Sequence, residues 1–139
     1  MKYEKLIIEK REFVLLKRFM NLSKYYKDDT LGESIKKLSG ELELASVCDE
    51  ADMPKDVIRF NSTVTIAAQN GWKKKFQLVM PNHGDVKNDK ISILTPMGAA
   101  VIGYAEGDSI TWKFPAGEQT MTIEKVEQEG APINLNMVL

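Results

Sequence analysis

The chain has 139 residues, 43% hydrophobic and 28% charged, which suits a single globular unit, with or without a small appendage, that needs no staples to hold its core. Nineteen Lys and Arg against 20 Asp and Glu leave a net charge of −1, the wrong balance for direct sequence-specific nucleic-acid binding, which needs a basic face. One Cys excludes an internal disulfide, no apolar run approaches the ~20 residues of a membrane span, and the N-terminus lacks a signal-peptide pattern, so no membrane partner is expected and the expected compartment is the cytoplasm.

Residues 9–22 are predicted to form a helix. Phe13, Leu16 and Met20 fall at helical spacing with Leu15, Phe19 and Leu22 beside them, and the basic residues lie mostly away from that stripe. Leu6, Ile7 and Ile8 are either its first turn or an extended lead-in. A polar loop follows. Thr30 and Glu33 then match a capping box, and Leu31, Ile35, Leu38, Leu42 and Ala45 form a coiled-coil seam in a helix running to residue 47 or 48. Two helices joined by a short loop should pack antiparallel, giving a hairpin with Tyr25, Tyr26, Asp28 and Asp29 at its tip. A seam that faces one helix only implies that the hairpin buries little against the rest of the chain.

Residues 49–54 are acidic and non-periodic, and Pro54 prevents further helix. From here the period is 2. Val57, Ile58 and Phe60 lead into a strand over 62–69, Asn70-Gly71 is a hairpin signal, and the partner strand covers 72–80. Residues 91–108, ISILTPMGAAVIGYAEGD, read as strand, short helix and turn. Thr95 caps the helix, Pro96 takes its first position, Ala99 and Ala100 permit close packing on a sheet, and Gly103 and Gly107-Asp108 end it. Residues 109–114 alternate Ile110, Trp112 and Phe114 on one face, Pro115 to Glu118 makes a turn, and a last strand covers 119–127. The apolar tail that follows has no predicted seat.

Few residues offer chemistry. Cys48 and His83 are each alone of their kind, too few for a zinc site and without an orienting partner for a nucleophile, so no metal or cofactor is expected. Lys73, Lys74 and Lys75 point to alternating faces and suit a solvated edge strand better than a phosphate-binding patch. Asp28 and Asp29 could hold a divalent metal already bound to another macromolecule; their plainer role is to favour the positive end of the second helix.

The ordered pieces Ile91-Ser92-Ile93, Thr95-Pro96, Gly98-Ala99-Ala100, Gly107-Asp108 and Pro115-Ala116-Gly117 resemble the C-terminal domains of the Gre family of bacterial transcript-cleavage factors. Met53 to Val57 and Asn61 to Val64 look like the Rnk group within that superfamily, the regulators of nucleoside diphosphate kinase. The resemblance covers about residues 31–128. It implies an α+β fold: a short N-terminal antiparallel coiled-coil hairpin (1–50), then an FKBP-like antiparallel sheet domain with one short helix (51–139). It also implies a partner, RNA polymerase, met at the rim of its secondary channel through the segment before the short helix. By position that segment is Leu94, Thr95 and Pro96, with Leu94 standing where Gre factors carry an acid, and Met97 beside them is expected to share the docking contact. The expected function is a non-enzymatic polymerase-binding regulator that competes with Gre factors. One alternative is a Gre-like cleavage factor working through Asp28 and Asp29, against which the short hairpin weighs, since Gre hairpins are considerably longer. The other is an FKBP-like peptidyl-prolyl isomerase, which would need an aromatic pocket built from Trp72, Phe76, Tyr104, Trp112 and Phe114.

Overall fold

The computed structural model describes residues 1–22, 29–114 and 117–128, with only the backbone of 29–30 and 112–114. The expected tip residues Tyr25, Tyr26 and Asp28, the turn at Pro115-Ala116 and the apolar tail lie outside the described residues, as do the side chains of Asp29, Thr30, Trp112 and Phe114.

The chain opens with strand β1 (Ile7–Glu9) and helix α1 (Lys10–Leu22), so Leu6 to Ile8 are the extended lead-in rather than a helical turn. Helix α2 spans Asp29–Glu43. Asp29 is already helical, which places Thr30 inside the helix and not at its cap. The helix also stops short of residue 47. Beyond Glu43 the seam carries only Ala45, too small to hold another turn, and the backbone finds better partners: Ser46–Cys48 becomes strand β2, paired parallel with β1, and the Ser46 N–H donates to the Leu6 carbonyl at 2.8 Å. The start of α1 and the end of α2 therefore meet at a two-stranded sheet.

A five-stranded sheet follows, in the order β5-β4-β3-β7-β6. Strands β3 (Thr63–Ala68) and β4 (Lys73–Val79) form the hairpin expected at Asn70-Gly71, with Gly71 at φ +88°, a conformation a side chain disfavours. Strand β5 (Lys90–Ser92) runs parallel to β4, and β6 (Ser109–Phe114) and β7 (Gly117–Glu127) pair antiparallel. A bulge in β7 between its pairings at Lys125 and Ile123 lets it follow β3. Lys73 to Lys75 extend past the short β5 and so lie at an edge, each in an ion pair: with Glu124, Asp89 and Glu127 respectively.

Helix α3 (Pro96–Val101) lies between α2 and the sheet. The residue that permits this closeness is Gly98. A Cβ there would sit 2.2 Å from the Ser92 carbonyl oxygen. Ala99 and Ala100 are buried as expected, but Gly98 makes the tightest approach.

One apolar core joins all of this. Val64, Ile66, Phe76, Leu78, Met121 and Ile123 of the sheet, Ala99 to Val101 of α3, Leu15 and Leu16 of α1 and Leu38 and Leu42 of α2 belong to a single cluster. The seam of α2 thus does not face one helix only, and the helical arm is not a low-contact appendage. The reason is geometric: α3 is short and made of small residues, so α2 settles onto it and its leucines reach the sheet core.

Candidate partner-docking surface

The segment Leu94 to Met97 is held by a chain of local hydrogen bonds. The Ile93 N–H donates to Val79 at 2.9 Å and keeps the chain on the sheet edge. The Leu94 N–H then donates to the Ser92 hydroxyl at 3.0 Å. Thr95 is extended, at φ −127°, and its hydroxyl acts twice: it donates to the Ser92 carbonyl at 2.7 Å and accepts the Gly98 N–H at 3.1 Å. Thr95 is the N-cap that the sequence implies, and Pro96 follows at a position where no N–H is needed. Because the Thr95 proton is committed internally, the hydroxyl is left able only to accept from a partner.

These four residues do not share one environment. Leu94 is 7% exposed and belongs to the core cluster. Thr95, Pro96 and Met97 are half-buried, with Met97 packed against the same core. The part left open to a partner is therefore a half-buried proline ring flanked by a capped hydroxyl and a thioether, with Leu94 in the core beside it. The loop from Pro81 to Gly84 borders this edge, since a Cβ at Gly84 would come within 3.3 Å of the Ser92 Cβ. Of the tip residues the structure places only the backbone of Asp29, at the start of α2. Cys48 is half-buried in β2, and His83 is exposed in the turn after β4. Among the described residues no three His, Cys, Asp or Glu side chains come together to hold a metal ion.

Two polar clusters at the base of the arm are not foreseen by the sequence reading. In the first, Glu12 on α1 is 2% exposed and faces Arg59. The Arg59 guanidinium donates to Glu12 through Nε at 2.8 Å and through Nη2, and to Glu50 at 2.5 and 2.7 Å; the Phe60 N–H donates to the other Glu12 oxygen at 3.0 Å. Burial pushes the Glu12 carboxyl above its ordinary value, opposed by Arg59 and the Phe60 amide. The hydrogen bonds from Arg59 hold Glu50 below its ordinary value, and the Arg59 guanidinium is pushed up by Glu50 and Glu12. Glu9, 1% exposed, accepts the Arg11 and Glu12 amides at 2.9 and 3.0 Å and so caps α1. In the second cluster the Tyr104 hydroxyl donates to Glu41 of α2 at 2.6 Å and accepts from the Lys37 ammonium at 3.3 Å. Burial, then the Glu41 hydrogen bond, pushes the Tyr104 hydroxyl pKa up. A signal for the first cluster was present: Glu12 precedes Leu16 by one helical repeat and so falls on the apolar stripe.

Cavities open among the described residues include two. One, of about 360 Å³, is lined by Gln69, Asn70, Thr111, Glu118, Gln119 and Thr120; the other, of about 560 Å³, has Met53, Pro54, Lys55, Arg59 and Gln128 in its wall. Neither has an aromatic ring among its lining residues. Phe76 is in the core, Tyr104 is tied to Glu41, and Trp72 is exposed near the β3–β4 turn. No helix among the described residues is long and apolar enough to cross a membrane.

Residues 53–128 match the family model described as the C-terminal part of transcription elongation factors GreA/GreB, a span that contains β3 to β7 and the Thr95 to Met97 edge. The chain is similar to the regulator of nucleoside diphosphate kinase of Escherichia coli K12, 36% identical over 96 residues, 68% of this chain and 70% of the relative. It is similar to transcription elongation factor GreA of Xanthomonas campestris pv. campestris, 36% identical over 94 residues, 66% of this chain and 60% of that protein. A solved GreA/GreB elongation factor from Nitrosomonas europaea superposes with a TM-score of 0.67 at 30% identity, covering 88% of this chain and 98% of the other. The mixed α+β fold, the capped short helix and the shared span of sequence agree: this chain belongs to the GreA/GreB transcription elongation factor family.

Proposed function

We propose that this chain is a non-enzymatic regulator of transcription that binds RNA polymerase at the rim of the secondary channel, docks through Thr95, Pro96 and Met97, and competes there with Gre factors. In this reading residues 1–50 are a short antiparallel coiled-coil arm and residues 51–139 an FKBP-like docking body, working in the cytoplasm. The observation that supports it best is the edge at the start of α3: a half-exposed Pro96 ring fixed by the Thr95 cap, inside the span that matches the family model. A prolyl ring already held in its bound shape loses little entropy when a partner covers it. The similarity to a protein named as a regulator supports a regulatory rather than a catalytic role.

The cleavage alternative, with Asp28 and Asp29 positioning a metal at the polymerase active site, is disfavoured by reach. Over the described residues helix α1 has 13 residues and α2 has 15, a rise of ~20 Å, less than a helix running on to residue 48 would give. The isomerase alternative is disfavoured by Phe76 lying in the core and Tyr104 being tied to Glu41, and by the two cavities having no aromatic ring among their described lining residues.

The test is a titration of core RNA polymerase with wild type and Pro96→Asn. Asn at the first helical turn leaves the core closed, so the variant should stay folded yet bind at least tenfold more weakly. Equal binding by a folded Pro96→Asn protein would place the interface elsewhere.

A further inference from the structure

The two polar clusters at the base of the arm have a geometry in common that the apolar core does not. Glu12 is in the first turn of α1 and Glu41 is near the end of α2, so each helix of the arm is tied at its base to the body. The ties reach different places. Glu12 is held by Arg59 and the Phe60 amide, just ahead of β3. Glu41 is held by Tyr104, which follows α3 after the left-handed Gly103. Apolar contacts are non-directional and do not by themselves select one rotation of a helix. A guanidinium shared by two carboxylates and a part-buried phenol–carboxylate bond are directional, and weaken as donor and acceptor turn out of line.

We infer that Arg59 and Tyr104 are positioning residues that fix the direction of the helical arm relative to the edge at Thr95 to Met97. One tie would leave a pivot; two ties on two helices remove it. Between the ties α2 rests on α3, the helix whose first turn is that edge, so arm and edge form one rigid piece. Phe19 adds a third contact further along α1, edge-on to Phe60 with ring centroids 5.9 Å apart. Gly103 closes the joint: a Cβ there would stand 2.9 Å from Ile8 and 3.1 Å from Leu6, and its carbonyl accepts the Ile7 N–H at 3.3 Å. The consequence rests on the proposed docking role of that edge: a partner seated on it receives the arm at one set angle.

The inference is tested without any polymerase, so its failure is distinct from failure of the functional reading. Spin labels are placed on the full chain at Arg18→Cys in α1 and Thr122→Cys in β7, both exposed positions, in a Cys48→Ser background, and their separation is measured by double electron–electron resonance. The labelled parent should give one narrow distance peak. Combining Glu12→Leu, Arg59→Met and Tyr104→Phe removes both ties without stranding Glu12 or Arg59 as a buried charge, and should at least double the width of the distribution while the sheet keeps its circular dichroism. A folded triple variant with the parental width would show that apolar packing alone sets the arm, and a broad distribution in the parent would show that nothing sets it; either overturns the inference. If the triple variant does not fold, Arg59→Lys and Tyr104→Phe decide singly: each should widen the peak, and parental widths in both would refute a positioning role.

Discussion

At Gly98 the strand–helix contact leaves no room for a side chain, because the obstructing atom is the Ser92 backbone carbonyl, which cannot swing aside. Gly98→Ala should therefore lower stability by about 3 kcal/mol, the upper part of the range for overpacking, in urea unfolding. Gly40 in α2 is exposed and nothing lies within 4 Å of a Cβ built there, so Gly40→Ala should raise stability by about 0.5–1 kcal/mol in the same assay. The two substitutions are chemically identical, and their opposite signs isolate the close approach as the cause. Tyr104 makes a further prediction. Its pKa is raised in the folded state above the ordinary value of 10.0, so the folded protein holds this proton more tightly than the unfolded chain. The stability this contributes is fully present below pH 10 and is lost as pH rises beyond it. Comparing urea midpoints of wild type and Tyr104→Phe from pH 8 upward should show a steeper alkaline decline for wild type, and parallel curves would mean that the hydroxyl is not held as described. Sequence patterning found the Thr95 cap and the Pro96 start because their causes are local. It assigned the close approach to Ala99 and Ala100 and missed Gly98, since which residue meets the strand depends on how the helix is rotated against it. It also passed over Glu12, whose burial makes sense only with Arg59, 47 residues away, in place.

At the level of elements, the arm and the body share one apolar core. Leu6, Ile8, Leu15, Leu16, Leu38 and Leu42 all lie in the common core. At roughly 2 kcal/mol for each buried aliphatic side chain, removing residues 1–50 forfeits on the order of 12 kcal/mol, comparable to the whole stability of a domain. A fragment beginning at Asp52 should therefore show no cooperative thermal transition by circular dichroism, and a sharp transition near that of the full chain would mean that the sheet folds without the arm. The main helices and strands were legible because each is long enough to show its period; even the boundaries of β6 agree with the expectation. Strands β1 and β2 were not. Three residues cannot display a period of 2, and Ile7 and Ile8 are buried with Glu9 between β2, Gly103 and the start of α1, so no alternation exists to be read. The seam of α2 was read correctly as apolar, but the helix packs on α3, and Leu38 and Leu42 join the core that contains the sheet, a choice that the heptad spacing alone cannot make.

For the whole molecule, a short arm fixed to a docking body predicts occupancy of a site without chemistry at a distance. Stalled elongation complexes incubated with the protein and magnesium should release no short 3′ RNA fragments, and fragments that disappear on replacing Asp28 and Asp29 by Ala would restore the cleavage alternative. The central claim is that the protein and Gre factors use one polymerase site. It is tested most directly by measuring binding of the labelled wild-type chain to core RNA polymerase as unlabelled GreA is added. The account predicts saturable binding that GreA displaces completely, with a midpoint that rises linearly with the concentration of free labelled chain. Binding that persists at saturating GreA, or no binding to core polymerase at all, would contradict it.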